Sequence, residues 1–239
     1  MAVASGLVIL QRRNDQLFMG LTLASTHGTC ANAGFGVGCG FSIDFKPKEI
    51  DMAQIQIAVL VGSLRQDSLN RKLASAIAKL APPEFTFKQL RIDDLPLYNQ
   101  DDDNNPAEPV KRLKNEINAS QGLLFVTPEY NRSMPGVLKN AIDHASRPYG
   151  QSAWAGKPAG VLGASVGTGG SAMAQQHLRN VLAYLDVPTL GQPEAFIHAK
   201  EGFFDANGDI GIPDSKKFLQ GWMNAYVAWV KTHAQTHTA

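Results

Sequence analysis

From Ile57 to the C-terminus the chain contains no cysteine, and its two cysteines, Cys30 and Cys39, lie upstream. That core can hold neither a disulfide nor a thiolate-bound metal or iron–sulfur cluster. A reducing compartment suits it, so a cytoplasmic protein is expected. Net charge is scarce too: 22 Lys and Arg against 21 Asp and Glu leave +1, with no block of like charges. Nucleic-acid binding through a basic surface therefore loses its support. No apolar run approaches the roughly 20 residues needed to cross a bilayer, so no membrane partner is expected. No internal repeat is visible. What the chain does have is apolar: 44% hydrophobic against 18% charged residues, enough for a real core. Its 239 residues suit one domain with an extension, or two small domains.

Residues 1–51 differ from the rest. Ala2 to Leu10 is a short apolar run with Arg12 and Arg13 after it and no basic residue before it, the wrong order for a secretory signal. Gly28 to Gly40 is rich in Gly, Ala and Cys without any period, and Cys30 and Cys39 alone do not make up a metal set. This part reads as a poorly ordered extension. Lys48-Glu49 can be encoded as AAG-GAG, a ribosome-binding sequence, ahead of Ile50, Asp51 and Met52. Synthesis is therefore expected to start at Met52, which opens the first well-patterned element.

From Met52 onward strands alternate with helices. Ile57 to Val61 reads as a buried strand, followed by the turn Gly62-Ser63-Leu64-Arg65-Gln66-Asp67. Ser68 stands where an N-cap belongs, before a helix face of Leu69, Leu73, Ile77 and Leu80 spaced at about 3.6 residues. Phe85 to Ile92 alternates like a half-exposed strand, and Val110, Leu113 and Ile117 mark a helix. Gly122 to Thr127 is a continuous apolar run fit for a strand buried on both faces. A helix opens at Pro135 as its first residue, with Val137, Leu138, Ala141 and Ile142 on one face. Strands over Ala159–Ala164 and Ala195–His198 flank a helix running from Gly167-Thr168-Gly169-Gly170 to Leu185. A last helix covers about Ser215 to Thr232. The expectation is an α/β fold, a doubly wound five-stranded parallel sheet of order 2-1-3-4-5 over residues 52–239.

In that order strands 1, 3 and 4 are neighbours, and ligands bind beyond their C-terminal ends. Those strands end in the turn at Gly62, in Thr127-Pro128-Glu129-Tyr130-Asn131-Arg132-Ser133-Met134-Pro135-Gly136 and in Ser165-Val166-Gly167-Thr168-Gly169-Gly170. A helix N-terminus carries free N–H groups and partial positive charge. With Ser63, Arg65, Ser68 and Asn70 around it, the first loop is a candidate anion site. Other motifs compete. Gly163-Ala164-Ser165-Val166-Gly167 fits a nucleophile elbow, and Asp205 or Asp209 with His233 would complete a serine-esterase triad in chain order. Gly167 to Ala172 fits G-x-G-x-x-A, but no acidic residue ends a strand about twenty residues later. His233 and His237 lack a third metal ligand, and Trp154, Trp222 and Trp229 read as core or interface.

Three ordered motifs give the chain a resemblance. They are Gly62-Ser63-Leu64-Arg65 with Ser68 and Asn70, Pro128-Glu129-Tyr130-Asn131 with Ser133 and Pro135-Gly136, and Leu138-Lys139-Asn140-Ala141-Ile142-Asp143. Together, over Ile55 to Val230, the chain resembles the NADPH-dependent FMN reductase family, flavodoxin-like quinone and chromate reductases. The resemblance implies FMN as cofactor and NADPH or NADH as co-substrate. A small-molecule acceptor such as a quinone, chromate, an azo compound or free flavin then takes the electrons in ping-pong fashion. It implies that Ser63, Arg65, Ser68 and Asn70 hold the FMN phosphate. Pro128, Glu129, Tyr130 and Asn131 would line the ring, and Ser165, Gly167 and Gly169 would close its other side. No side chain is assigned as catalytic and none as a metal ligand, since the flavin carries the hydride; Glu129 is given an orienting or helix-capping role. A homodimer or homotetramer is implied, with Leu97-Tyr98 near a neighbouring subunit. Two positions depart from the family: Arg132 stands where an aromatic or histidine is frequent, and His144 where tryptophan is. A flavodoxin-type electron carrier would share the fold without oxidising a pyridine nucleotide.

Overall fold

The strands anticipated from the alternation form, and pair in parallel in the order β2-β1-β3-β4-β5, in a computed structural model that describes residues 54–234. The expectations for residues 1–51, for a start at Met52, for Cys30 and Cys39 and for His237 lie outside the described residues. The strands are β1 (Ile55–Val61), β2 (Phe85–Gln89), β3 (Gly122–Val126), β4 (Ala159–Ser165) and β5 (Ala195–His198). The helices are α1 (Leu69–Ala78), α2 (Glu108–Asn118), α3 (Gly136–Ala145), α4 (Ala172–Tyr184) and α5 (Pro213–His233). The fold is flavodoxin-like.

The sheet's two-residue period sorts the core into two layers. Ile57, Val59 and Val61 of β1 face the side covered by α1 and α5, where Leu73, Ile77, Leu219, Trp222, Met223 and Tyr226 are buried. Ala58 and Leu60 face the other side, against Leu113 and Ile117 of α2, Leu138 and Ile142 of α3, and Leu178 and Leu182 of α4. Each such fully buried Leu or Ile contributes roughly 1.5–3 kcal/mol. Trp222 and Tyr226 stack with centroids 5.4 Å apart, and they lie where a Cβ on Gly160 would stand. The absence of a side chain at Gly160 lets α5 pack close to β4.

Register places the loops. Val61 of β1 pairs with Val126 of β3, which pairs with Leu162 of β4. The ladder runs one step further through Gly62 N–H to the Val126 carbonyl at 2.9 Å and Thr127 N–H to the Leu162 carbonyl at 3.0 Å. The three loops that follow β1, β3 and β4 therefore leave the sheet at one edge.

Boundaries differ from the periodic reading in three places. α4 begins at Ala172 and not in the glycines before it, because Gly170 and Ser171 have φ of +53° and +67°, outside the right-handed helical region. Pro135 is the N-cap of α3, extended at ψ 146°, one residue ahead of its expected place. β2 stops at Gln89, and Arg91 turns to bond Asp93 at 2.9 Å. Among the described residues no helix is long and apolar enough to cross a membrane. No cluster of three or more His, Cys, Asp or Glu could hold a metal there either.

Candidate active site

The first loop is built as its residues suggest. Ser68 is the N-cap of α1, and its Oγ accepts the Arg71 N–H at 3.3 Å. The first turn of α1 contains no acidic residue that would repel an anion. Ser63 is 5% exposed beneath the loop while Arg65 is open to solvent. Behind the loop, towards the end of β2, Ser63, Leu64 and Arg71 line a depression of about 180 Å³ with Asp93, whose carboxyl Arg91 and, less strongly, Arg71 help to lower. The Arg71 Nε is buried with no protein partner. Arg71 is a cation at this site that sequence reasoning missed, since its position on α1 resembles any exposed helical arginine.

Asn70 has a different task from the one expected of its side chain. Its Nδ2 donates to the Ala164 carbonyl at 3.0 Å, and its Oδ1 accepts the Ala164 N–H at 2.9 Å. The buried carboxamide ties the start of α1 to β4. An anion at the loop is left with the Asn70 backbone N–H and the second Nδ2–H.

The β3 loop is a tight turn. Tyr130 and Ser133 exchange backbone hydrogen bonds of 2.9 and 3.0 Å, with Asn131 at φ +50° and Arg132 at φ +66°. Two positive φ values in succession are the pattern of a type I′ turn. Pro128 and Glu129 are half-buried at its base, and Tyr130, 49% exposed, and Asn131 face outward. Glu129 does not point to solvent as an acid would. Its Oε2 accepts the N–H groups of Met173 and Ala174 at 2.9 and 3.3 Å and so caps α4, whose own N-cap Ser171 makes no capping bond. The Ser133 Oγ lies 3.1 Å from the His177 Nδ1 on α4, a second link between these loops that no motif announced.

The β4 loop completes the rim. The Ser165 Oγ accepts the Gly167 N–H at 3.0 Å, and a Cβ on Gly169 would meet nothing within 4 Å. A side chain is missing where a flat ring could approach the backbone. The acid-free first turn of α1 and this open backbone fit a phosphate-bearing flavin laid across the edge.

A serine-esterase triad is not assembled. His233 stacks on Trp229 at 3.7 Å, and Lys231 of the same helix end pairs with Glu84, whose carbonyl accepts from Ile55 at the start of β1. That is the opposite edge of the sheet from Ser165. Asp205 caps Asn207 and Asp209 through its Oδ1, and Asp209 pairs with Lys79.

His144, the other departure, is buried and its Nε2 lies 2.9 Å from the Pro96 carbonyl. Asn140 also donates to that carbonyl at 2.8 Å and accepts the Tyr98 N–H at 2.8 Å, so the two residues hold the Pro96–Tyr98 segment. Burial and the hydrogen bond to Asp103 push the Tyr98 phenol up.

Residues 55–202 match the model of the NADPH-dependent FMN reductase family. A 2-hydroxy-1,4-benzoquinone reductase from a Burkholderia species is 55% identical over 177 residues, covering 74% of this chain and 97% of that protein. A quinone reductase of Pseudomonas putida is 47% identical over 182 residues, with 75% and 97% covered. Among solved structures, the flavoenzyme FerB, an NAD(P)H:(acceptor) oxidoreductase from Paracoccus denitrificans, superposes with a TM-score of 0.73 at 47% identity. That match covers 75% of this chain and 98% of FerB. The three-loop rim and these matches agree: the chain belongs to the NADPH-dependent FMN reductase family.

Proposed function

We propose that the protein is an FMN-dependent NAD(P)H:quinone oxidoreductase whose acceptors are small quinones, including hydroxybenzoquinones of the kind named for its Burkholderia relative. The observation that carries this reading is the convergence of an anion-binding helix start, a tight polar turn and an open glycine backbone on one edge. When bound, FMN supplies acceptance of hydride from a nicotinamide and its release to an acceptor.

The chain's own residues do the rest. Arg65 and the hydroxyls of Ser63 and Ser68 donate to the phosphate, with the first N–H groups of α1, and Arg71 adds positive potential from behind. Asn70 fixes the distance between that loop and β4. Pro128, Tyr130 and Asn131 present backbone and ring edge along one side of the isoalloxazine. Glu129 sets the angle between their turn and α4. Ser165, Gly167 and Gly169 close the other side without crowding it. A flavodoxin-type carrier shares the phosphate loop but has no use for a surface open enough to stack a nicotinamide.

The protein acts as a homodimer or homotetramer. A groove of about 670 Å³ is lined by Tyr98, Lys139, Arg147, Asn180 and Tyr184. Leu97, Tyr149 and Tyr184 beside it are 86%, 88% and 85% exposed, and covering them with a second copy would remove a large apolar surface from water. Reliance on a reduced pyridine nucleotide and a cysteine-free core suit the cytoplasm.

The test is the visible spectrum of the purified protein with and without NADPH, followed by quinone addition. Flavin absorbance that bleaches with NADPH and returns with quinone is expected. A protein that takes up no FMN on reconstitution sinks the reading, and one that binds FMN which NADPH cannot bleach is a carrier. Sedimentation at micromolar concentration reads the assembly, and a monomer would remove the second copy.

A further inference from the structure

The turn after β3 places an arginine where the backbone disfavours one. Asn131 and Arg132 occupy the two central positions of a type I′ turn, both at positive φ. Asn tolerates the left-handed region, whereas the second position is the usual place of glycine. Arg132 keeps a Cβ at φ +66° there and gains no burial from it, with its side chain 83% exposed. A strained residue that contributes nothing to packing points to a use at the surface.

Its one ionic partner among the described residues is reached loosely, and the side chain stays open to solvent. Arg132 forms an ion pair with Glu129, whose Oε1 is 3.6 Å from the Arg132 Nη1, longer than a hydrogen bond. The other oxygen of Glu129 is occupied by Met173 and Ala174. His177, the remaining titratable group beside the turn, faces Ser133. Only Nη1 is engaged by the Glu129 pair, so the remaining guanidinium N–H groups can donate to a ligand, on a turn fixed by the Tyr130–Ser133 backbone pair. In the same turn Tyr130 is 49% exposed, and Met173, whose N–H bonds the Glu129 carboxylate that pairs with Arg132, is 46% exposed. A planar apolar body with one anionic oxygen matches this combination.

We propose that Arg132 is a specificity-determining residue that favours acceptors carrying an anionic oxygen, namely 2-hydroxyquinones, over neutral quinones. A 2-hydroxyquinone is a vinylogous carboxylic acid and is ionised at neutral pH, so it presents an anionic oxygen beside the neighbouring carbonyl oxygen to a planar donor fork. The balance of the reaction is unchanged. One NAD(P)H is oxidised, and its hydride together with one solvent proton converts the quinone to the hydroquinone. The inference rests on the quinone-reductase reading above and assigns the acceptor class of that same site.

The test uses the FMN-loaded full chain and its Arg132→Gln and Arg132→Gly variants. The readout is the ratio of kcat/KM for 2-hydroxy-1,4-benzoquinone to that for 1,4-benzoquinone. An exposed charge pair predicts a fall of about twofold to fivefold in this ratio in both variants, and a similar fall as salt rises in the unsubstituted protein. Calorimetry gives a reading without turnover: the Kd of 4-hydroxybenzoate should rise relative to that of 4-hydroxybenzamide. Arg132→Gly should also melt at a higher temperature than the unsubstituted protein, since it relieves the turn. A ratio that stays constant, or two acceptors that weaken in parallel, overturns the proposal. So does a KM that rises for NADPH alone, which would give the guanidinium to the coenzyme 2′-phosphate. No turnover with any quinone would count against the function itself, and the calorimetric comparison would still decide the role of Arg132.

Discussion

The carboxylate of Glu129 closes the N-terminus of α4: its Oε2 lies 2.9 Å from the Met173 nitrogen. One side chain thus joins the loop after β3 to the helix after β4, across the edge where the flavin is proposed to lie. A negative group at a helix start is favourable in its own right, through both the hydrogen bond and the helix dipole. Glu129→Ala should cost about 1 kcal/mol of stability, with Glu129→Gln losing less because its amide oxygen still accepts. Urea titration of both variants checks this. Equal losses would mean that the charge, not the acceptor, is what matters.

The Asn70 carboxamide bonds both backbone groups of Ala164 in a buried setting. Asn70→Ala leaves a buried N–H and a buried carbonyl unpaired, for a loss of roughly 2–4 kcal/mol. Asn70→Asp keeps the acceptor, loses the donor and buries a charge, so it should also be strongly destabilised. FMN retention should fall with stability in both, as the loop loses its distance from β4. Denaturation curves taken beside flavin content separate the two effects.

Arg65 has the reverse profile. It is exposed and lies in a loop outside the two core layers. Arg65→Ala should shift folding stability by less than about 0.5 kcal/mol. Loss of a charge-assisted bond to phosphate should weaken FMN binding by roughly tenfold to a hundredfold. Fluorescence titration of the apoprotein with FMN measures the second quantity. Unchanged affinity would return this loop to a capped helix and nothing more.

Tyr226 sets a limit at alkaline pH. Its hydroxyl donates to the Leu123 carbonyl at 2.8 Å, and complete burial pushes its phenol well above the ordinary value of 10.0. A raised folded value means that the tyrosine's contribution is intact below the unfolded value and is lost as pH climbs through the window above it. Melting temperature should therefore drop increasingly above about pH 10. Tyr226→Phe removes this part of the decline, at the cost of leaving the Leu123 carbonyl without that donor. Parallel alkaline profiles for the two proteins would show that other groups cause it.

Much of the fold was legible because the periods of burial are local. The run Gly122–Thr127 and the alternation from Phe85 needed only two-residue geometry, and the face Leu69, Leu73 and Ile77 needed only a helical turn. Boundaries were less legible where a left-handed residue intervened, as at Gly170 and Ser171 before α4. Of the candidate site, the capping of α1 by Ser68 follows from local chemistry and stands as expected. The work of Asn70 on Ala164 spans 94 residues, and no local pattern could indicate it.

By itself the sequence determined the strand and helix alternation, the cysteine-free core, the capped start of α1 and three loops with polar or glycine character. Each depends on chemistry among residues a few positions apart. The tertiary structure alone decided which groups remain free to meet a ligand. Parallel register brought the three loops to one edge and carried His233 to the opposite one. It spent the Asn70 carboxamide on β4 and the Glu129 carboxylate on α4, and left the guanidinium of Arg132 exposed. A polar side chain can serve a distant backbone or a bound molecule equally well, and only the distances between elements choose.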